Sequence, residues 1–190
     1  MKIGLYGGSF DPVHMGHLLV AQAALEELGL DRVVFIPASQ SPFKPERILA
    51  PSNERLRLVR LALAGRNWAE IDDQEILRGG MSFTIETVRS YARRLPSAQL
   101  HYLIGADHVP FLGKWRESAE LARLVEFVVI PRPGEPMAPV AAPFRVRSLA
   151  GFPLGVSSSQ IRERVRSGHS IEWLVPPAVE EAIRNNRLYL

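Results

Sequence analysis

Residues 7–17, with the sequence GGSFDPVHMGH, combine glycines and histidines in a pattern suited to binding phosphate. The segment directly follows a short apolar run, Ile3 to Tyr6, which predicts a strand. In an open parallel sheet, ligands bind beyond the carboxyl ends of the strands, and the first strand usually borders the crevice. Gly7 and Gly8 let the backbone approach a ligand closely, and the free N–H groups of the helix that follows attract anions. The segment therefore predicts a phosphate-binding turn.

The two histidines of this segment, His14 and His17, are three residues apart, which places both on one side of the opening helical turn. Gly16 lies between them and removes a side chain that could obstruct a nucleotide. Either histidine alone would ordinarily be a capping or surface residue. A zinc site lacks an obvious third ligand, and a spacing of four is more usual for zinc on a helix. We therefore interpret the pair as a phosphate clamp and predict no metal site.

Two common nucleotide-binding fingerprints do not fit this segment. The dinucleotide fingerprint G-x-G-x-x-G fails because the glycines stand at Gly4, Gly7 and Gly8. The P-loop fails because no Lys-Ser or Lys-Thr pair follows the glycines. The phosphate-binding turn must therefore be of another kind.

A second candidate anion site lies far downstream, at residues 156–162, with the sequence VSSSQIR. Its three serines precede the apolar residues Ile161 and Val165, and they offer hydroxyl caps and unsatisfied amides at a helix N-terminus. Arg162 lies one turn inside that helix, on the side of the serines, where its guanidinium could grip two phosphate oxygens. A serine-capped surface helix is the ordinary alternative, but the upstream segment favours a second phosphate contact.

The elements that position both segments follow from the apolar pattern. Strands are predicted at Ile3–Tyr6, Arg32–Pro37, Glu70–Ile71, Gln99–Ile104, Val125–Ile130 and Phe144–Leu149. Helical spacing is found from Leu18 to Leu28, from Leu56 to Leu63 and from Ile85 to Leu95. Strands that alternate with amphipathic helices predict an α/β fold, a doubly wound parallel sheet covered on both faces. The prolines between Pro131 and Pro153 predict a long loop near the ligand site.

Size and composition restrict the function further. A chain of 190 residues predicts one domain, residues 1–190. Cysteine is absent, which excludes disulfides and thiol catalysis. No apolar run approaches the roughly 20 residues that a bilayer needs, and no signal-peptide cleavage site follows the first residues, so we expect a cytoplasmic protein. The net charge of +3 is spread along the chain, which favours small anionic ligands over nucleic acid or membrane. A homo-oligomer is compatible with this composition.

Residues 8–17 resemble the G-[TS]-F-D-P-x-H-x-G-H signature of the nucleotidyltransferase superfamily, and residues 156–162 resemble the I-S-S-T-x-I-R element of the nicotinate and nicotinamide mononucleotide adenylyltransferases. The resemblance covers nearly the whole chain and is closest to the bacterial nicotinate mononucleotide enzymes. It implies a Rossmann-like sheet with strand order 3-2-1-4-5. It also implies transfer of AMP from ATP to nicotinate mononucleotide with release of pyrophosphate.

The resemblance also implies roles for single residues. Catalytic roles fall on His14, His17 and Arg162. ATP contacts fall on Gly8, Ser9, Phe10, Gly16, Gly105, Asp107, Ser157, Ser158 and Ser159. Acceptor contacts fall on Lys44, Thr84, Trp115 and Arg132, with the tryptophan stacking on the pyridine ring and the threonine backbone receiving the nicotinate carboxylate. The chain departs from the family at Phe43, where a histidine is usual, and at Met81, where a proline is frequent.

The implied mechanism is an in-line attack of the acceptor phosphate on the α-phosphorus of ATP, without a protein nucleophile. Fixed cations and amides would neutralise the transferring group, and Mg²⁺ would arrive bound to ATP. Four alternatives stay open at this point: a nicotinamide mononucleotide adenylyltransferase, a phosphopantetheine adenylyltransferase, a cytidylyltransferase, and a sensor that binds ATP without turning it over.

Overall fold

The sheet and its flanking helices were determined from a computed structural model that describes residues 1–43, 48–130, 139–140, 142–152 and 154–190. The strands are β1 Lys2–Gly8, β2 Arg32–Pro37, β3 Ala69–Ile71, β4 Gln99–Gly105, β5 Val125–Ile130 and β6 Val146–Ser148. The helices are α1 Met15–Leu28, α2 Ser52–Leu63, α3 Gln74–Arg78, α4 Thr84–Arg94, α5 Ser118–Leu124, α6 Ser158–Arg166 and α7 Pro177–Asn185. A 3-10 helix, Ala106–Lys114, follows β4.

The described strands form one parallel sheet in the order β3-β2-β1-β4-β5-β6. The α/β class and the order 3-2-1-4-5 are therefore confirmed, and β6 adds to the edge beside β5. This last strand is shorter than its predicted span, Phe144–Leu149. The predicted loop is described only in part, because residues 131–138 lie outside the described residues. Helices α3 and α5 and the 3-10 helix were not predicted, since each is too short or too irregular to show helical spacing.

Two layers of helices cover the sheet, because alternate strand residues point to opposite faces. In β2, Val33 and Phe35 pack in one core, which also contains apolar residues of α1, α2, α6 and α7. Val34 and Ile36 pack in the other core, with α4, α5 and the 3-10 helix. Helix α1 ends at Gly29, whose φ of 59° is left-handed and suits glycine. The central strands are thus buried on both faces, and their carboxyl ends form a rigid edge.

The buried ring of Phe127 in β5 packs against two aromatic rings near that edge. Its removal tests how much this packing stabilises the fold. The ring is fully buried, and its centroid lies 5.9 Å from that of Trp115 and 6.2 Å from that of Tyr102. We expect Phe127→Ala to lower the free energy of unfolding in urea by about 3–5 kcal/mol, because it leaves a cavity. The control is Phe111→Ala, whose ring is 48% exposed. Equal losses in the two variants would contradict the packing described here.

Candidate active site

A cavity of about 820 Å³ opens at the carboxyl edge of the sheet. It lies where β1 separates β2 on one side from β4 on the other, which is the point at which the strand order reverses. The predicted site residues that line it are Gly8, Ser9, His14, Gly16, His17, Thr84, Gly105, Asp107, Trp115, Ser157 and Ser158. Phe10, Ser159 and Arg162 are described but are not among the lining residues. Lys44 and Arg132 lie outside the described residues.

The glycines at the end of β1 leave room for neighbouring side chains. A Cβ on Gly7 would collide with the hydroxyl of Tyr102, and a Cβ on Gly8 would lie 3.2 Å from the ring of Phe10. That ring is buried beneath the turn, where it contacts the rings of Tyr6 and Phe35. The side chain of Phe10 therefore supports the turn from the core and does not line the cavity.

His14 caps α1, and its imidazole stacks on that of His17. The ring centroids are 3.7 Å apart with an interplanar angle of 32°, so both rings lie on one side of the turn, as the spacing predicts. The backbone N–H of His14 donates a hydrogen bond to Nδ1 of His17 over 3.2 Å. A Cβ on Gly16 would lie 3.0 Å from Nδ1 of His14, so glycine is what allows the ring to lie over the backbone here.

The protonation of this pair differs from the fixed cations that the sequence suggested. Burial lowers the pKa of His14 to about 4. Burial, and then the neighbouring His14, lower the pKa of His17 well below its ordinary value. Both imidazoles are therefore neutral near pH 7. Because Nδ1 of His17 accepts a hydrogen bond, its ring proton sits on Nε2, which is left as a donor.

Helix α6 joins the downstream serine segment to the first motif. Ser157 is its N-cap and accepts a hydrogen bond from the backbone N–H of Gln160. The hydroxyl of Ser158 donates to the carbonyl of Pro12 over 2.9 Å. Nη1 of Arg162 donates to the carbonyl of Asp11 over 2.6 Å. The two segments recognised in the sequence thus meet directly, and the N-termini of α1 and α6 both lie at the cavity.

Arg162 is held at the rim of this junction. Its Nη1 lies 3.6 Å from Oδ2 of Asp11, and its Nη2 donates to the hydroxyl of Ser159 over 3.2 Å. The carboxylate of Asp11 is itself 1% exposed and accepts a hydrogen bond from the backbone N–H of Ala50. The carbonyl and the carboxylate of Asp11 therefore hold the Arg162 guanidinium beside the start of α6.

The end of β4 forms the opposite wall of the cavity. Gly105 and Asp107 line it, and Asp107 lies in the first turn of the 3-10 helix. A Cβ on Gly105 would press against the Asp107 carboxylate. The strand end thus places a carboxylate at the cavity wall, where it could accept hydrogen bonds from sugar hydroxyls.

Aromatic rings surround the remaining part of the cavity. Trp115 is 8% exposed, and its ring centroid lies 5.3 Å from that of Phe43 and 5.9 Å from that of His108. The hydroxyl of Thr84 donates to that of Tyr102 over 3.3 Å at the start of α4. Trp115 therefore packs in the core and also lines the cavity.

Sequence reasoning missed a buried carboxyl group beside these rings. Glu75 of α3 is 3% exposed, lines the cavity and accepts a hydrogen bond from the hydroxyl of Thr87. Burial raises its pKa, against the opposing effect of hydrogen bonds from Thr87 and Ser82. Its burial could not be predicted, because the surrounding residues 72–75 are polar and resemble an exposed acidic turn.

The described part of the chain contains no group of three or more histidine, cysteine, aspartate or glutamate side chains placed to hold a metal ion. None of its helices combines the length and the apolar character that crossing a membrane would require.

Comparisons with known proteins relate the whole chain to one group. A family model described as cytidylyltransferase-like matches residues 5–164. A probable nicotinate-nucleotide adenylyltransferase of Opitutus terrae is 40% identical over 191 residues, which cover 100% of this chain and 98% of the relative. A protein of the same description from Gemmatimonas aurantiaca is 43% identical, over 100% of this chain and 92% of the relative.

Solved structures share the fold. The nicotinic acid mononucleotide adenylyltransferase of Plasmodium falciparum, complexed with NaAD, superposes with a TM-score of 0.81 at 17% identity, over 99% of this chain and 97% of the other. A putative nicotinate-nucleotide adenylyltransferase of Vibrio parahaemolyticus superposes with a TM-score of 0.72 at 21% identity, over 99% of this chain and 94% of the other.

Burial of the two histidines predicts an acid-sensitive fold. Well above pH 6.5 both are neutral in the folded and the unfolded chain, and their contribution to stability is fully present. As the pH falls from 6.5 towards about 4, the unfolded chain binds protons that the folded chain does not, so stability is lost. We expect the free energy of unfolding of the wild type, measured in urea, to fall by up to about 1.4 kcal/mol per pH unit for each histidine in this range.

The control for this prediction is the double variant His14→Gln/His17→Gln, which keeps the other titrating groups of the chain. Its free energy of unfolding should fall less steeply between pH 7 and pH 5. Parallel pH profiles for the two proteins would show that the folded imidazoles titrate normally.

Proposed function

The chain belongs to the nicotinate-nucleotide adenylyltransferases and transfers AMP from ATP to nicotinate mononucleotide, and we propose that His14, His17 and Arg162 carry the reaction. The products are nicotinate adenine dinucleotide and pyrophosphate. The observation that supports these roles best is the contact between α6 and the first motif, which brings two helix N-termini and an imidazole pair to one cavity and holds the Arg162 guanidinium beside them. In this proposal residues 1–190 act as one nucleotidyltransferase domain.

The proposed chemistry is a single in-line displacement. A phosphate oxygen of nicotinate mononucleotide attacks the α-phosphorus of ATP, a new P–O bond forms, and the bond to the bridging oxygen of pyrophosphate breaks. The leaving group takes the electron pair of that bond. Such transfers need alignment and stabilisation of negative charge more than they need a protein nucleophile. Mg²⁺ enters with ATP and is held mainly by phosphate oxygens and water, as is usual for this ion.

The two histidines and the helix N-termini would contact the phosphates as hydrogen-bond donors. The Nε2–H of His17 and the backbone N–H groups of Gly16 in α1 and Ser158 in α6 are donors of fixed direction. Arg162 supplies a permanent positive charge beside the start of α6, and in this proposal its guanidinium turns from the Asp11 carbonyl to a phosphate oxygen. These groups together stabilise the charge that spreads over the transferring phosphoryl group.

The acceptor would bind on the aromatic side of the cavity. In this proposal Trp115 stacks on the pyridine ring, while the backbone at Thr84 receives the nicotinate carboxylate. The placement of both residues on the cavity wall, with Phe43 and Tyr102 beside them, supports this arrangement. Lys44 and Arg132 remain predicted acceptor contacts. Gly105 and Asp107 would hold the adenosine part of ATP at the end of β4.

The assay that tests the reaction is pyrophosphate release from ATP and Mg²⁺ with one acceptor at a time. We expect turnover with nicotinate mononucleotide to exceed turnover with nicotinamide mononucleotide or phosphopantetheine, and ATP to be preferred over CTP as the nucleotide donor. A preference for phosphopantetheine would invalidate the acceptor assignments above. Absence of turnover with every acceptor would instead favour a protein that only binds nucleotide.

The role of His17 is tested by its replacement with alanine. We expect His17→Ala to lower kcat by about 10² to 10³, because one donor to the transferring phosphoryl group is lost. The matched control is His169→Ala, an exposed histidine near α6 that does not line the cavity. Steady-state kinetics with nicotinate mononucleotide measures both variants. Near-normal turnover of the His17 variant would refute the proposed clamp.

A further inference from the structure

Behind the cavity, Arg55 in the first turn of α2 is a charged side chain that is only 1% exposed. Its guanidinium donates hydrogen bonds to four backbone carbonyls. Nη1 donates to Ser9 over 2.7 Å and to Ala38 over 2.7 Å, Nη2 donates to Ser39 over 3.0 Å, and Nε donates to Ala50 over 3.0 Å. An arginine is almost never fully buried unless it is paired in this way, so the arrangement is unusual enough to need an explanation.

These carbonyls belong to different walls of the cavity. Ser9 lies in the turn after β1 and lines the nucleotide side. Ala38 and Ser39 follow β2, and the chain continues from them into Ser41 and Phe43, which line the aromatic side. One guanidinium therefore joins the two walls. The backbone supports this junction with a further hydrogen bond of 2.9 Å, from the N–H of Ala38 to the carbonyl of residue 8.

We propose that Arg55 is a positioning residue that sets the distance between the nucleotide-binding turn, residues 8–11, and the acceptor loop, residues 38–43. It touches neither reacting atom. It fixes both backbone segments against one planar fork, so the α-phosphorus of ATP and the acceptor phosphate are held in line. This inference rests on the proposed function, because it concerns the alignment of those two substrates.

The fork geometry explains why arginine fits this position. Guanidinium N–H groups are fixed in one plane and can reach carbonyls in several directions at once, whereas a lysine ammonium is a single point at the end of a flexible chain. Each trans peptide directs its C=O and its N–H to opposite sides. By holding the carbonyls of Ser9 and Ser39, Arg55 therefore also fixes the N–H groups of Phe10 and Gln40 on the sides away from itself.

The consequence of losing this alignment can be large. A misplacement of about 1 Å at a distance from the chemistry can cost about 10² in rate, since in-line transfer depends on geometry. Binding of each substrate alone depends on one wall at a time. We therefore expect loss of the fork to lower kcat much more than it raises either KM.

The test compares Arg55→Lys with Arg57→Lys on the same helix. The first variant keeps the buried charge and loses the fork, while Arg57 is 47% exposed and pairs with Glu54. We expect Arg55→Lys to lower kcat per folded molecule by about 10- to 100-fold, with the KM values for ATP and nicotinate mononucleotide changed by less than about threefold. The Arg57 variant should match the wild type. Urea unfolding and near-ultraviolet circular dichroism give the folded fraction.

A second measurement does not need turnover. Hydrogen exchange followed by mass spectrometry should show faster exchange in residues 8–11 and 38–43 of Arg55→Lys, and unchanged exchange in β5. In the wild type, the amides of Ala38 and Ser39, which donate to Gly8 and Ser82 at the junction that Arg55 supports, should exchange as slowly as those of α2. The positioning role requires this slow exchange, and it can be measured even where the lysine variant does not fold.

The outcomes separate the two proposals. A wild type without turnover on nicotinate mononucleotide would defeat the proposed function, while the exchange data would still report on the role of Arg55. An Arg55→Lys variant with normal kcat per folded molecule would overturn the positioning role. So would fast exchange of the Ala38 and Ser39 amides in the wild type, or a loss of activity that follows the unfolded fraction alone.

Discussion

The hydrogen bonds between α6 and the backbone of residues 11–12 are the interaction on which the rest of the site depends. They connect positions up to 151 residues apart in the chain. Without them, the turn after β1 would be one helix N-terminus at the edge of a sheet, a common feature with weak affinity for anions. With them, a second N-terminus and a guanidinium lie beside the first. The order of the sheet makes this contact possible, because β1 is central and α1 and α6 pack on the same face of the sheet.

Much of this arrangement could be predicted from the sequence because it is encoded locally. Central strands buried on both faces are continuous apolar runs, and the helices between them show regular spacing. The stacking of His14 on His17 follows from their spacing on one helical turn. Ser157 as the N-cap of α6 follows from hydroxyl residues placed just before an apolar period. In each case the neighbours that decide the structure lie within one or two turns of the chain.

The features that were not predictable depend on residues remote in sequence. The side chain of Phe10 belongs to the core because Tyr6 and Phe35 surround it, although its position in the motif suggested an ATP contact. The neutrality of the histidines depends on burial, which only the folded chain creates. Arg55 would be a surface residue in most helices after a proline, and its carbonyl partners come from three separate segments. No short sequence pattern predicts such a contact.

The neutrality of the two histidines bears on which groups bind substrate and which stabilise the transition state. A charged group attracts the triphosphate of ATP in the ground state as well as in the transition state, and such uniform binding lowers KM without raising kcat. The hydrogen bond from an uncharged N–H donor of fixed direction strengthens most when negative charge accumulates on the oxygen that the donor faces. In the proposed reaction, Arg162 and the Mg²⁺ bound to ATP would supply the permanent charge, while His14 and His17 would act as directed donors. Burial of the imidazoles, which costs stability at acid pH, would then favour stabilisation of the transition state over attraction of the substrate at neutral pH.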